Sequence, residues 1–340
     1  MATYKGIQGY TVENLSSDPP AEQSVGQVWY NSTAYKFKVG TEGDGAWSSG
    51  GSLNTGRDMM VGVGSSSTAA LSCGGEPPVS GGAGVAVEQY NGTAWTTKTS
   101  LNTYRYGLGG SGTTTAALVF GGSGPGAADF TESWNGSSWT ELNDLNSGRS
   151  VLGGSSAGSS TAALAFGGAN YPTTSNLAVT EVWNGSTWTE VNDLNTGRES
   201  IGGCGTSTAA QANGGGATYP SSAVYNVTEQ YNGTSWTEVN NLNTARDAFG
   251  YGSPGTQSAS MAMGGKGASP VPKCTLVETF NGTSWSTSTV LPAEKSEMGS
   301  SGANASSAIC FGGTGPGGSN HAETQVWTDP VYAIKTVTVS

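Results

Sequence analysis

The chain has 340 residues, of which only 11% are charged, with a formal net charge of −11 and a pI near 4.5. That acidic, lysine-poor balance excludes binding through nucleic-acid phosphates, and no apolar run reaches the roughly 18 residues of a membrane span. Low charge, ten tryptophans and thirteen tyrosines exclude a charge-extended disordered chain.

The stretch from Met1 to Pro20 carries no apolar core of the secretory-signal type, so export by the general secretory route is not expected. Gly6–Val12 reads as a strand. Gln27–Tyr30 and Tyr35–Val39 read as a pair joined across Asn31–Ala34. Trp47 stands six residues before Leu53, as Trp95 stands six before Leu101, so the end of this segment matches the end of a later repeat. Residues 1–52 are therefore a divergent first unit or an anchor, ahead of six repeats in 53–340.

From Leu53 onward three landmarks recur in fixed order. The first is a Leu-Asn-x-x-Arg turn at Leu53–Arg57, Leu101–Arg105, Leu145–Arg149, Leu194–Arg198 and Leu242–Arg246, with a weaker copy at Leu291–Lys295. The second is a small, apolar strand ending in Gly-Gly at 74–75, 121–122, 167–168, 214–215, 264–265 and 312–313. The third is Glu-x-aromatic-Asn-Gly-x-x-Trp, beginning at Glu88, Glu132, Glu181, Glu229 and Glu278. Successive Asn-Gly pairs lie 44, 49, 48 and 49 residues apart. A period of 40–50 residues built from short strands predicts a β-propeller. Asn-Gly supplies the positive φ of a tight hairpin, which accounts for the Asn-Gly-Ser/Thr sequences without glycosylation. The Trp four residues beyond each Asn fills the gap between blades. The expected fold is thus all-β, a propeller of four-stranded antiparallel blades. Seven blades are favoured, because 340 residues divided by seven gives about 49, the observed repeat. Val326-Trp327 to Tyr332 then completes the sixth repeat, with Tyr332 in the Trp slot and a last strand over 331–339. The alternative is six blades with residues 1 to about 50 as a separate anchor or closing strand.

In order and spacing, the Gly-Gly doublets, the aromatics after them and the following Trp resemble kelch repeats over about Leu53 to Tyr332. The departure is the low charge and the abundance of Ala and Thr. The opening, with Gly26-Gln27-Val28-Trp29-Tyr30-Asn31 at its centre, resembles the start of structural proteins of marine tailed bacteriophages. That resemblance covers about fifty residues. It implies a virion component such as a tail fibre, head fibre or decoration protein, assembled in the host cytoplasm. It further implies partners among other virion proteins, through residues 1–50, or a host surface glycan or protein. The oligomeric state stays open. Two other classes are a cellular kelch-type interaction adaptor and a carbohydrate-active enzyme.

A residue present in every unit is explained first by the scaffold. Arg57, Arg105, Arg149, Arg198 and Arg246 are expected to pair with Glu88, Glu132, Glu181, Glu229 and Glu278, fixing geometry more than adding stability. Cys73, Cys204, Cys274 and Cys310 form no CxxC motif and read as small buried thiols. His321 is the single histidine, without a GxSxG partner motif, so neither a serine triad nor an imidazole-held metal is indicated. Paired carboxylates for glycoside cleavage are not brought together by the sequence, although Asp44, Glu76, Asp129, Asp247 and Glu297 lie outside the repeat pattern. No catalytic residue, cofactor or metal is assigned. Recognition is expected in the variable loops that follow each Gly-Gly, all emerging on one face. Their candidate surface residues are Phe130, Asn170, Tyr171, Tyr219, Tyr225, Lys266, Lys273 and His321. If the repeat Trp is inter-blade core, Trp188→Ala will lower unfolding free energy by about 3–5 kcal/mol in chemical denaturation.

Overall fold

The computed structural model describes residues 12–42, 45–76, 83–126, 128–170, 175–217, 223–249, 252–267, 274–329 and 332–337. They divide into two compact units, one of Trp47–Thr328 and one drawn from residues up to Ala46 and from Asp329 onward.

In the larger unit, strand after strand follows the same logic. Each blade begins with a glycine- and serine-rich inner strand such as Val61–Ser66 or Gly202–Thr206. A fully buried apolar strand follows, as in Ala117–Phe120 or Ala163–Phe166. The third strand, such as Thr180–Trp183, buries Thr, Glu and the aromatic while its third residue stays half-exposed. The outer strand, such as Trp188–Val191, buries its Trp and exposes the two residues after it. The hairpin between the last two strands turns on Asn-Gly. Gly92, Gly136, Gly185, Gly233 and Gly282 take φ values of 90° to 95°, and each Asn Oδ1 accepts two main-chain N–H groups, as Asn184 does from Ser186 and Thr187.

Among the described residues, six such sheets form a closed ring. Blade 1 runs over 61–98, blade 2 over 109–141, blade 3 over 153–191, blade 4 over 202–238 and blade 5 over 255–287. Blade 6 takes Gly299–Asn304, Ser307–Phe311 and Thr324–Thr328 from the end of the unit, and Ala46–Ser49 from its beginning as the outer strand. The closure is visible in repeated hydrogen bonds. The second glycine of every doublet donates to the carbonyl of the next blade's Arg or Lys: Gly75 to Arg105, Gly122 to Arg149, Gly168 to Arg198, Gly215 to Arg246 and Gly265 to Lys295. Gly313 returns to Arg57 at 2.9 Å.

Blade count and the fate of the chain end correct the sequence expectation. The favoured seven-blade ring is not what the strands form. Tyr332–Thr336 does not complete blade 6; it pairs antiparallel with the 38–42 stretch of Lys36–Glu42. The Trp slot of blade 6 belongs to Trp47, whose ring lies 5.1 Å from Trp327, matching 5.2 Å between Trp134 and Trp139. The smaller unit has a sheet of its own in the order Glu13–Leu15, Val28–Asn31, Lys36–Glu42, Tyr332–Thr336, and its first pair is parallel, unlike any blade. The strand expected over Gly6–Val12 falls almost entirely outside the described residues.

The inter-blade role of the repeat Trp is explicit. Trp188, 5% exposed, packs edge-on against Phe120 of blade 2 at 4.9 Å. Its indole N–H donates to Thr131 Oγ1 of that blade at 2.9 Å. Trp95, Trp236 and Trp285 reach Thr324, Thr180 and Thr228 of the preceding blades in the same way. Where that Thr is replaced by Val87 or Val277, the indoles of Trp139 and Trp47 donate instead to the main-chain carbonyls of Thr99 and Thr289. No buried indole donor in this series is left orphaned, which is the pattern a desolvated N–H requires. A chain truncated to 46–328 should therefore keep the closed ring. One truncated to 51–328 loses Trp47 and the outer strand of blade 6, and its urea midpoint should fall markedly below that of 46–328.

Candidate interaction surface

The loops after Gly-Gly and the Leu-Asn-x-x-Arg connections lie on one face of the ring, because both join strands at the end where each inner strand begins. Each connection is pinned by a buried clamp. In blade 3, Arg149 Nη1 lies 2.7 Å from Glu181 Oε1, with the two side chains 0% exposed. Glu181 Oε2 accepts the main-chain N–H and the side-chain amide of Asn146, each at 2.8 Å. The same arrangement joins Arg57 and Asn54 to Glu88, Arg105 and Asn102 to Glu132, Arg198 and Asn195 to Glu229, and Arg246 and Asn243 to Glu278. Burial pulls the guanidinium pKa of Arg105, Arg149, Arg198 and Arg246 down against the pull of the partner carboxylates. Guanidinium nonetheless stays charged. The repeated ions thus hold each connection onto its blade, as expected from the sequence, and none of these side chains is more than 3% exposed.

Five of the eight candidate surface residues are described, one in each of blades 2 to 6. Tyr171, Tyr219 and Lys273 lie outside the described residues. Phe130 is half-buried, and its carbonyl accepts from Arg105 Nη1 at 2.7 Å. Asn170 lies in a two-residue strand paired with Ser175–Asn176. Tyr225 and His321 occupy one register position in different blades, their carbonyls accepting the N–H of Arg246 and Arg57. Lys266 Nζ lies 2.5 Å from Glu297 Oε1. His321 Nδ1 lies 2.7 Å from Glu323 Oε2, an oxygen also 3.2 Å from Lys295 Nζ. Ser319 Oγ stands 3.4 Å from His321 Nε2. That is long for an O–H···N bond, and the carboxylate at the end of the series is engaged in neutralising a buried lysine.

A second set of variable positions includes Asp247 and Glu297, two of the carboxylates outside the repeat pattern. The repeats agree through Arg and diverge in the two residues after it: Asp58-Met59, Tyr106-Gly107, Ser150-Val151, Glu199-Ser200, Asp247-Ala248 and Ser296-Glu297. The first of each pair bridges to the residue after the Gly-Gly doublet, as Asp58 does to Glu76 and Asp247 to Lys266. The second takes φ between 50° and 64° in every blade. Its N–H donates to the carbonyl of its counterpart in the preceding blade: Gly107 to Met59, Val151 to Gly107, Ser200 to Val151, Ala248 to Ser200, Glu297 to Ala248 and Met59 to Glu297, at 2.7–3.1 Å. This circle of six main-chain bonds brings the variable side chains together around the ring axis. Acids come from blades 1, 4, 5 and 6, whereas Tyr104 and Tyr106, 6.2 Å apart in an edge-on pair, come from the connection into blade 2. Asp58 and Asp247 are each pushed up to about 6, chiefly by burial. On the rim, Glu141, Leu142, Asn143, Trp183, Gly185 and Ser186 line a shallow depression of about 490 Å³ between blades 2 and 3.

No known family's sequence signature matches the chain, and no curated protein matches it. Among solved structures its fold is similar to that of YjhT, a kelch-type propeller, with a TM-score of 0.64 over 83% of this chain and 99% of that one at 13% identity. The chain is therefore all-β with a kelch-like propeller fold. Among the described residues no helix is long and apolar enough to cross a membrane.

Glu181→Ala should leave Arg149 buried without its counter-ion and cost about 3–5 kcal/mol. Replacing both residues with apolar side chains of similar volume should recover most of that loss. Paired denaturation curves of the single and double variants make the comparison.

Proposed function

We propose that this protein is a non-enzymatic structural propeller of a tailed-phage particle, exposing its loop face to a host surface or to the particle's surroundings. One observation carries the interaction reading. The ionisable groups that repeat from blade to blade are consumed in the buried clamps, while the groups that differ converge on the loop face around the axis. A symmetric scaffold with one asymmetric face is the arrangement that a binding surface on a repeat protein needs. The kelch-like fold agrees with a scaffold for interactions, although fold alone assigns no function. The virion assignment draws on the phage-like opening, with Gly26–Asn31 at its centre, and on the low-charge repeats that follow it.

Mass spectrometry of particles produced by the genome encoding this chain should detect it in stoichiometric amount, and antibody labelling should place it on the exterior. Its absence from purified particles would overturn the virion reading. For the face, exchanging the blade 4 loop 216–227 for the blade 3 loop 169–179 should weaken adsorption to host cells while leaving the melting temperature near that of the parent. Unchanged adsorption would move the contact elsewhere. Release of soluble sugar from host polysaccharide, lost on changing a loop carboxylate, would replace this proposal with a carbohydrate-active enzyme.

A further inference from the structure

Blade 6 departs from the others at every member of the clamp. Asn becomes Pro292, which supplies neither a main-chain N–H nor a side-chain amide. Arg becomes Lys295, and Glu becomes Gln325, which carries no charge. Lys295, 2% exposed, takes its carboxylate from Glu323, which is itself 53% exposed. Ser296 Oγ and Gln325 Oε1 are buried without a hydrogen-bond partner. This is also the blade whose outer strand comes from the far end of the sequence. The connection into this blade therefore lacks the grip that the clamp gives the other five.

We propose that blade 6 is tied to blades 5 and 1 by a proton-dependent latch, the series Lys266–Glu297–Thr314–Asp58. Lys266 belongs to blade 5, Glu297 and Thr314 to blade 6, and Asp58 to the start of blade 1. Thr314 Oγ1 lies 2.8 Å from Asp58 Oδ2 and 2.8 Å from Glu297 Oε2. A hydroxyl has one hydrogen to give. Two carboxylate oxygens at that distance from it are both bonded only if one of the acids supplies a proton. Glu297 carries the Lys266 ammonium on its other oxygen. Asp58 has its second oxygen buried without a partner and faces the carboxylates of Glu76 and Glu297. The proton therefore resides on Asp58, whose O–H donates to Thr314, whose O–H donates to Glu297. No other seam can build this series. The equivalent positions are Glu76, Met59 and Tyr106 between blades 1 and 2, and Gly216, Ser200 and Asp247 between blades 4 and 5.

Burial raises Asp58 to about 6 in the folded protein, against an ordinary value of 3.8. The folded state then holds the proton more tightly than the unfolded state. The latch is complete below about 4 and is lost as pH rises through 6, when the proton leaves to solvent and two carboxylates face one hydroxyl. Asp247 sits beside Lys266, Glu297 and Glu199 and is raised in the same sense, so it serves as the control. Asp58 alone should make the folding equilibrium about tenfold more favourable at pH 5 than at pH 7.5.

The test is amide hydrogen exchange on the full chain, corrected for intrinsic rates, at those two pH values. The Gly313 and Met59 amides cross the seam between blades 6 and 1. They should lose about tenfold in protection at pH 7.5 relative to the equivalent Gly168 and Ser200 amides, which join blade 3 to blade 4. Asp58→Asn, whose amide N–H donates to Thr314 at any pH, should hold that seam closed at both values. Asp247→Asn should leave the wild-type seam response in place. Equal pH responses at the two seams, or an unchanged response in Asp58→Asn, would overturn the latch. Thr314→Val should open the seam at both pH values; protection that still varied with pH in that variant would also count against it.

Discussion

In five blades a glutamate carboxylate, at most 3% exposed, takes a guanidinium N–H on one oxygen and the two N–H groups of an asparagine on the other. Such a carboxylate is costly to bury unless its lone pairs are filled, and filling them fixes geometry. The asparagine contributes its main-chain N–H, so the clamp grips the backbone of the connection itself. The arginine enters four residues after the leucine that closes each core cluster, which sets where the next inner strand begins. The rest of the ring follows from that placement. A connection held at this point delivers the Arg carbonyl to the Gly-Gly doublet of the preceding blade and starts the circle of main-chain bonds around the axis.

That circle explains a feature that would otherwise be anomalous. Met59, Val151, Ser200, Ala248 and Glu297 all adopt positive φ, and Val151 is β-branched. The conformation is unfavourable for side chains of this kind and persists only where the surroundings determine it fully. Here each strained residue lies two positions beyond a buried Arg or Lys. On either side it bonds through its own N–H and C=O to its counterparts in the neighbouring blades. Glycine occupies the position once, at Gly107. The structure therefore achieves closure at the axis by imposing one backbone shape on six different residues.

The periodic part of this fold was legible in the sequence because its causes are local. Asn-Gly fixes a hairpin, and Glu, aromatic and Trp take one face of two paired strands. Even the Arg–Glu partnership could be inferred, since two ions repeated in fixed order, 27 to 32 residues apart, need each other once buried. The blade count was not legible for the opposite reason. The motif around Trp47 reads as the end of a blade, but which blade it ends is decided by ring closure across more than 250 residues. Tyr332 offered a plausible local substitute and was the wrong one: Trp47 stacks on Trp327, while the strand beginning at Tyr332 pairs elsewhere. The surface was half legible. Variation after Gly-Gly drew attention to Lys266 and His321. Asp247 and Glu297 stood out as carboxylates outside the repeat pattern, but nothing local shows that they and Asp58 hold equivalent positions after each Arg or Lys.

The axial face shows how a symmetric backbone carries asymmetric chemistry. The residues beside the clamps have no partner prescribed by the repeat, and the circle of bonds delivers them to a common place whatever they are. Blades 1, 4, 5 and 6 use that freedom for acids, and the connection into blade 2 uses it for tyrosines. Blade 6 goes further, because it has given up the clamp itself. Pro292, Lys295 and Gln325 change together: the donor-free proline leaves the Gln325 amide oxygen buried without a partner, and a single ammonium replaces the guanidinium once the buried glutamate has gone. A blade so altered would be the weakest in the ring if nothing compensated. The residues that span it, from Lys266 to Asp58, sit at positions where the other blades show no common chemistry. Their hydrogen-bond demands close only when a proton is shared among them, which makes the attachment of this one blade responsive to its surroundings while the clamped blades stay fixed.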